Sequence, residues 1–296
     1  MKFIFKLIFI LSVLSAPLQA EILVLVHGYM SGAKVWENSG VISILNKDGW
    51  ARIGLLFPAT GRSVNANEIS LNNKKIYLVD LPSLAPLKTQ AALLNKALLS
   101  VEAVNKKDKI TLVGHSAGGV VARLMLVQYG ARQVKKLITI ASPHSGTHRA
   151  LDALKFTHSS GPIGMFKNMF GGAKYHALKN STPLLIDLTP PKTGNILSWL
   201  NMQAHPNIEY VSIIRIGAFG FSPDTIVPAA SQDMNNVPAL AGKSAVVRVA
   251  EKHELSPKDG YGLIQLLHLK KVAVKTITIE KKAANKPKAG EFRKIQ

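Results

Sequence analysis

The chain has 296 residues, of which 47% are hydrophobic and 18% are charged, and it contains no cysteine. This composition can bury a large core and excludes a disordered chain. The lack of cysteine excludes disulfides, a thiolate metal site and a cysteine nucleophile, and no metal or other cofactor is expected.

The first 20 residues have the pattern of a secretory signal peptide. Lys2 and Lys6 precede the apolar run 7–14, and the small residue Ala20 suits a cleavage site. Cleavage after Ala20 predicts a periplasmic or secreted protein. The alternative is an uncut membrane anchor, although the apolar run is short for a membrane span.

Basic residues outnumber acidic ones throughout. Without Lys2 and Lys6, 35 Lys and Arg stand against 17 Asp and Glu, a net charge of +18. This excess favours contact with an anionic membrane surface. The alternative is a basic enzyme whose charge is not used for binding. Residues 270–296 hold nine Lys or Arg and two Glu. The tail 281–296 either docks on anionic lipid or is a solvated end. Phe292 is its single aromatic residue, so aromatic residues are not interleaved with the basic ones and no nucleic-acid partner is expected.

Apolar runs and helical spacings alternate along the chain. Strands are predicted at 21–26, 51–56, 75–79, 109–113, 136–141, 208–216 and 245–249, and helices at 33–45, 86–104, 117–129 and 262–271. This alternation predicts an α/β fold for residues 21–280, with a mostly parallel central sheet and helices on both faces.

One stretch, 146–206, contains no convincing strand. It carries Met165, Phe166, Met169 and Phe170 beside several glycines. We interpret it as an inserted helical cap, or lid, that offers an apolar acyl pocket. Ordinary crossover helices with long loops are the alternative.

The pentapeptide Gly114–Gly118 (GHSAG) matches the pattern G-x-S-x-G. It lies between a predicted strand and a predicted helix, as a nucleophile elbow requires. A sharp turn there lifts the Oγ of Ser116 clear of the sheet, with His115 beside it. Bulky side chains at Gly114 and Gly118 would collide with neighbouring backbone. Ser116 is therefore the candidate nucleophile.

A serine needs a base close by, and in this architecture the order along the chain is serine, acid, histidine. His253 follows the strand 245–249 in a polar loop, which places it at the same sheet edge as Ser116. His268 is the second choice, within a predicted helix. His205 precedes a strand and falls at the wrong edge.

The acid must orient the base and stabilise its protonated form. Asp224 follows the strand 208–216 by a short loop and is the first choice. Asp233 is the alternative. Asp187 lies in the predicted cap, and Asp80 at the end of an earlier strand is a weaker option.

Backbone amides must bind the oxyanion of the tetrahedral intermediate. The residue after the nucleophile, Ala117, should supply one amide. The loop opened by His27 and Gly28 should supply the other from Tyr29, with Met30 as second choice. We expect His27 to brace this loop.

The segments LVHGY, GHSAGG, ITIASPHSGT and DTIVPAAS occur in the order seen in the α/β-hydrolase superfamily. They most resemble its bacterial triacylglycerol lipases and the related glycosylphosphatidylinositol-deacylase-like serine esterases. The resemblance implies Ser116 as nucleophile, Asp224 as acid and His253 as base, with the oxyanion hole at Tyr29 and Ala117. The calcium-binding aspartate pair and the disulfide of the lipases have no counterpart here.

These observations predict a serine hydrolase of carboxylic esters, acting on lipid or other acyl esters through an acyl-enzyme. An acyltransferase, a thioesterase or an amidase could use the same residues. The non-enzymatic alternative is a catalytically inactive, basic surface-binding protein.

Overall fold

A computed structural model describes residues 20–65, 73–106, 108–158, 172–217, 224–269 and 276–279. Almost all of the predicted signal peptide lies outside these residues, as do the tail 281–296 and the apolar residues Met165, Phe166, Met169 and Phe170. The structure therefore does not test the predictions about these segments.

The strands form one sheet in the order β3-β2-β4-β1-β5-β6-β7-β8-β9. All neighbouring strands are parallel except β2 and β3. The strands are β1 (Glu21–Val26), β2 (Ala51–Phe57), β3 (Arg62–Asn65), β4 (Lys74–Val79), β5 (Lys109–His115), β6 (Val134–Ile140), β7 (Glu209–Arg215), β8 (Ser244–Val249) and β9 (Thr276–Ile279).

Helices connect the strands and cover the sheet. Those described are α1 (Val35–Asn38), α2 (Val41–Lys47), α3 (Leu87–Val104), α4 (Ala117–Tyr129), α5 (His148–His158), α6 (Gly172–Asn180), α7 (Thr182–Asp187), α8 (Ile196–Met202), α9 (Ala229–Gln232) and α10 (Pro257–His268). None of these helices is both long and apolar enough to cross a membrane.

The central strand β1 shows why both faces must be covered. Ile22, Val24 and Val26 pack into one core with α3 and α4, whereas Leu23 and Leu25 pack into the other with α2 and α10. A strand that alternates between two buried faces reads as a continuous apolar run. The predicted mostly parallel sheet with helices on both faces is therefore confirmed.

The stretch 146–206 contains only helices among its described residues, namely α5 to α8. Leu184, Leu185, Leu197 and Leu200 are buried in the same core as α3 and α4. These helices therefore pack on one face of the sheet and share its core.

Several element boundaries differ from the predictions. The single helix predicted at 33–45 is two helices, because Gly40 between them has a left-handed φ of 80°. Helix α10 begins at Pro257, five residues before the prediction, with a capping box formed by Ser256 and Asp259. The short strands β3 and β9 were not predicted.

The order of the strands determines where a ligand can bind. The chain passes from β1 to β4 on one side and then to β5 on the other, so β1 lies between β4 and β5. Ligands of open α/β sheets bind at the carboxyl ends of the strands at such a switch point. Gly28 and Tyr29 follow β1 at this edge, and Ser116 follows β5.

Candidate active site

Ser116 occupies a sharp turn between β5 and α4. Its backbone angles are φ 51° and ψ −129°, which are strained for a residue with a side chain. Its amide donates to the carbonyl of Ile140 at 2.8 Å, which ties the turn to β6. The residue is 9% exposed, so its surroundings exclude most water.

The glycines around Ser116 are required by close backbone contacts. A Cβ at Gly114 would lie 2.4 Å from the Cα of Gly119, and one at Gly118 would lie 2.2 Å from the carbonyl oxygen of His27. Gly119 is constrained by side chains instead, because a Cβ there would lie 2.1 Å from the Oγ of Ser142. The structure gives the physical reason for the two predicted glycines and adds Gly119, which the sequence reasoning did not single out.

His253 lies between Ser116 and Asp224. Its Nε2 is 2.9 Å from the Oγ of Ser116, and its Nδ1 is 2.8 Å from the Oδ2 of Asp224. A carboxylate only accepts hydrogen bonds, so Nδ1 carries the proton and donates it to Asp224. Nε2 then presents its lone pair to the serine hydroxyl. The three side chains therefore form a continuous relay that can remove a proton from Ser116.

Asp224 is held by donors on both carboxylate oxygens. The amides of Ile226 and Val227 donate to Oδ1 at 2.8 and 2.9 Å, and the Nε2 of Gln232 donates to Oδ2 at 3.0 Å. Burial by itself raises the pKa of this carboxyl, but the hydrogen bonds from His253 and the two amides outweigh it and lower the pKa. Asp224 is therefore ionised at neutral pH.

The two predicted oxyanion donors flank the serine. Ala117 is the first residue of α4, so its amide has no acceptor within the helix. Neither this amide nor that of Tyr29 donates to a main-chain oxygen in the described part of the chain. Gly28 brings the two loops together, since a Cβ there would lie 2.8 Å from the Cβ of Ser116.

The side chain of Tyr29 links this loop to the helices of residues 146–206. Its hydroxyl lies 2.6 Å from the Oγ of Ser181, which itself donates to the carbonyl of Leu178 at 2.8 Å. Because a serine hydroxyl has a single hydrogen, Tyr29 is the donor to Ser181. The loop after β1 is therefore anchored on the segment between α6 and α7.

His27 does not contact Ser116 in the described hydrogen bonds. Its Nδ1 donates to the carbonyl of Gly28 at 3.0 Å, and its Nε2 accepts the amide of Leu81 at 3.0 Å. Burial lowers the pKa of this imidazole, in keeping with the neutral form that these two bonds require. It braces the loop after β1 against the end of β4.

The other candidate acids have different partners. Asp80 and Asp187 each accept a main-chain amide hydrogen bond, from Ala33 and Leu87 respectively. Asp233 caps the 3₁₀ helix Met234–Asn236. The structure brings none of the three into hydrogen-bond contact with His253.

The other candidate bases also lie elsewhere. His268 contacts Asp48 at 3.0 Å, at the amino ends of the strands, and His205 contacts the carbonyl of Gln203 at 2.7 Å. Across the described residues, no three or more His, Cys, Asp or Glu side chains form a group that could hold a metal ion.

Sequence reasoning missed the residues that hold the acid and base in place. Gln232 binds Asp224, and its only sequence signal is a polar side chain near the acid. Arg215 gave a clearer signal, as a charged residue within the apolar run IIRI, and it is fully buried. His115 was predicted as part of the elbow, but its contact with the His253 loop was not.

Comparisons with known proteins agree with this architecture. A family model described as a PGAP1-like alpha/beta domain matches residues 84–162, which include α3, β5, α4, β6 and α5. A search of curated proteins finds no match.

Solved structures match almost the whole chain. The lin2722 product of Listeria innocua matches with a TM-score of 0.56 and 15% identity, over 88% of this chain and 99% of that one. The mature form of the Bacillus licheniformis lipase BlEst2 matches with a TM-score of 0.55 and 17% identity, over 85% and 93%. The chain has the α/β-hydrolase fold.

A third α/β-hydrolase match is a lipase-esterase related protein from Clostridium acetobutylicum, with a TM-score of 0.50 and 14% identity. It covers 84% of this chain and 93% of that one. These matches show the fold. In this fold a nucleophile elbow lies where a strand passes into a helix, and in this chain Ser116 lies between β5 and α4.

Proposed function

We propose that the protein is a serine hydrolase of carboxylic esters, with Ser116 as nucleophile, His253 as general base and Asp224 as the orienting acid. The observation that carries this proposal is the continuous hydrogen-bond relay among the three side chains, at 2.9 and 2.8 Å. A turn serine without a catalytic role would not need an imidazole nitrogen aimed at its hydroxyl.

The reaction proceeds in two halves. His253 Nε2 accepts the Ser116 hydroxyl proton as Oγ attacks the ester carbonyl, and the same proton passes to the leaving alcohol when the tetrahedral intermediate collapses. Water then attacks the acyl-enzyme, again giving a proton to His253, and the acid is released with Ser116 restored. The amides of Tyr29 and Ala117 stabilise the negative oxygen in both halves.

We propose acyl esters of lipids as the substrate class. Met30 and Ile226 adjoin the oxyanion loop and the acid loop, and they are 46% and 40% exposed. Apolar side chains at these positions favour an acyl chain over a polar substituent. Two of the structural matches are a lipase and a lipase-esterase related protein, which supports the same class.

The test combines labelling with kinetics. A fluorophosphonate probe should label the purified protein at Ser116, and Ser116→Ala should abolish both the labelling and the hydrolysis of p-nitrophenyl butyrate. The control is Ser231→Ala, at another buried serine that does not contact His253. Labelling that survives in Ser116→Ala would contradict the assignment.

Acyl transfer to another acceptor is separated from hydrolysis by product analysis. Incubation with a triglyceride emulsion and a short alcohol should give mainly free fatty acid. Esters of the added alcohol as the main product would assign acyl transfer instead. A matched series of p-nitrophenyl esters from short to long chains then defines the acyl pocket.

A further inference from the structure

The loop that carries His253 is held by two buried side chains at consecutive carbonyls. The carbonyl of His253 lies 2.9 Å from the Nε2 of His115, and the carbonyl of Glu254 accepts from Arg215 at 3.3 Å. The loop connects β8 to α10 in seven residues, 250–256. Two fixed carbonyls in so short a loop restrict the position of the His253 backbone.

His115 is a donor to this loop because its partner is a carbonyl. The Nε2 atom must therefore carry a proton. Burial lowers the pKa of His115 to about 3, so the imidazole is neutral near pH 7. Its ring also packs against the ring of Trp36, with centroids 6.5 Å apart in an edge arrangement. The side chain has a fixed orientation and cannot act as a second base.

Arg215 connects the loop of the base with the support of the acid. Its guanidinium forms a two-point ion pair with Asp259, at 2.7 and 3.0 Å, and also reaches the carbonyl of Glu254. Its own amide donates to Gln232 at 2.8 Å, and Gln232 donates to Asp224 at 3.0 Å. Arg215, at the carboxyl end of β7, is therefore connected by hydrogen bonds to the loop of His253 and, through Gln232, to Asp224.

We propose that His115 and Arg215 are positioning residues of the hydrolytic site, which set the distance of His253 from Ser116 by holding the main chain of its loop. This proposal rests on the proposed function above. Asp224 orients the His253 ring, but the ring can reach Ser116 only if its Cα stays in place. A misplacement of about 1 Å can cost a hundredfold in rate.

The test removes the donor of His115 and then restores it. His115→Leu leaves the His253 carbonyl without its partner, and kcat for p-nitrophenyl butyrate should fall by about 10- to 100-fold with KM unchanged. His115→Gln places an amide N–H at a similar reach and should recover most of the rate. The rate of fluorophosphonate labelling should follow kcat in both variants.

The matched control is His144→Leu. His144 is another fully buried histidine, and it bonds Thr139 at 3.0 Å rather than the His253 loop. This variant should lose thermal stability as His115→Leu does, but keep the wild-type kcat. A folded His115→Leu with wild-type kcat and labelling rate would overturn the proposal. Equal losses in His115→Leu and His115→Gln would overturn it too.

Arg215 needs a paired variant, because removal of Arg215 alone leaves the charge of Asp259 buried. The double variant Arg215→Met, Asp259→Asn removes both charges and the donor to Glu254. The folded double variant should lower kcat, and a wild-type kcat in it would remove Arg215 from the proposal.

A nuclear magnetic resonance measurement separates this proposal from the proposed function. The Nδ1 proton between His253 and Asp224 should give a resonance far downfield that needs no substrate turnover. It should persist in Ser116→Ala and His115→Gln and broaden or vanish in His115→Leu. If Ser116→Ala hydrolyses esters like the wild type, the proposed function fails. The resonance then still decides whether His115 positions His253, and its persistence in His115→Leu would refute that role.

Discussion

The substitution Asp224→Asn should reverse the proton arrangement of His253. The Oδ1 atom accepts the amides of Ile226 and Val227, so the asparagine oxygen will remain there. Its NH₂ group must then replace Oδ2 and face two donors, the Nδ1–H of His253 and the side-chain amide of Gln232. His253 can relieve this conflict by moving its proton to Nε2.

That shift removes the base without moving any atom by much. A protonated Nε2 donates to Ser116 and cannot accept its hydroxyl proton, so kcat/KM should fall by roughly 10³- to 10⁴-fold. At about 1.4 kcal/mol per tenfold, the loss is about 4 to 5.5 kcal/mol of transition-state stabilisation. The remaining donor conflict should cost about 1–3 kcal/mol of folding stability.

The assay is kcat/KM for p-nitrophenyl butyrate, with thermal unfolding measured in parallel. Asp233→Asn is the control, since Asp233 caps a 3₁₀ helix and does not contact His253. It should lose at most about 1 kcal/mol of stability and keep its activity. A folded Asp224→Asn with activity within tenfold of the wild type would refute the reasoning about the proton on His253.

Three further predictions follow from the packing and burial described above. Gly118→Ala should abolish activity and lower the melting temperature, because its Cβ would lie 2.2 Å from the His27 carbonyl oxygen; an active variant with wild-type melting would contradict this. Burial lowers the pKa of His144 well below 6.5 and that of His115 to about 3. The unfolded chain therefore binds protons below pH 6.5 that the folded chain does not, and each histidine should remove about 1.4 kcal/mol of stability per pH unit between pH 6 and 4. Urea unfolding at pH 6, 5 and 4 measures this dependence of the free energy of unfolding on pH, which should decrease in His144→Gln. Arg215→Met should lower the free energy of unfolding by about 3–5 kcal/mol in denaturant titration, because its buried carboxylate partner is left unpaired; a loss below 1 kcal/mol would contradict this.

The parts of the fold that depend on local pattern were predictable. The run 21–26 alternates between two cores and had to be a buried strand, and the helix at Ala117–Tyr129 follows directly from an elbow motif with glycines on both sides. The capping box at Ser256 and Asp259 was also present in the sequence, so the late start predicted for the last helix was a missed signal.

Other features depend on contacts between distant residues. The side chains that hold the acid and the base come from β7, α9 and the elbow, and no spacing along the chain shows that they meet. Strand β3 is four residues long and antiparallel at the edge of the sheet, so it lacks the buried apolar run that identifies the other strands. His253 and Asp224 could be ranked first among the candidate bases and acids from their order along the chain and their position at the sheet edge. Their distances from Ser116 could be obtained only from the structure.

The contact of Gly118 with the His27 carbonyl has a consequence for engineering this protein. The spacing of the two proposed oxyanion amides depends on main chain packed against main chain, so no side chain can adjust it. Random libraries directed at Gly114 and Gly118 should therefore yield few active clones. Libraries at Met30 and Ile226 vary only exposed side chains. Substrate preference in this scaffold can change by replacing rim side chains while the reacting centre stays the same.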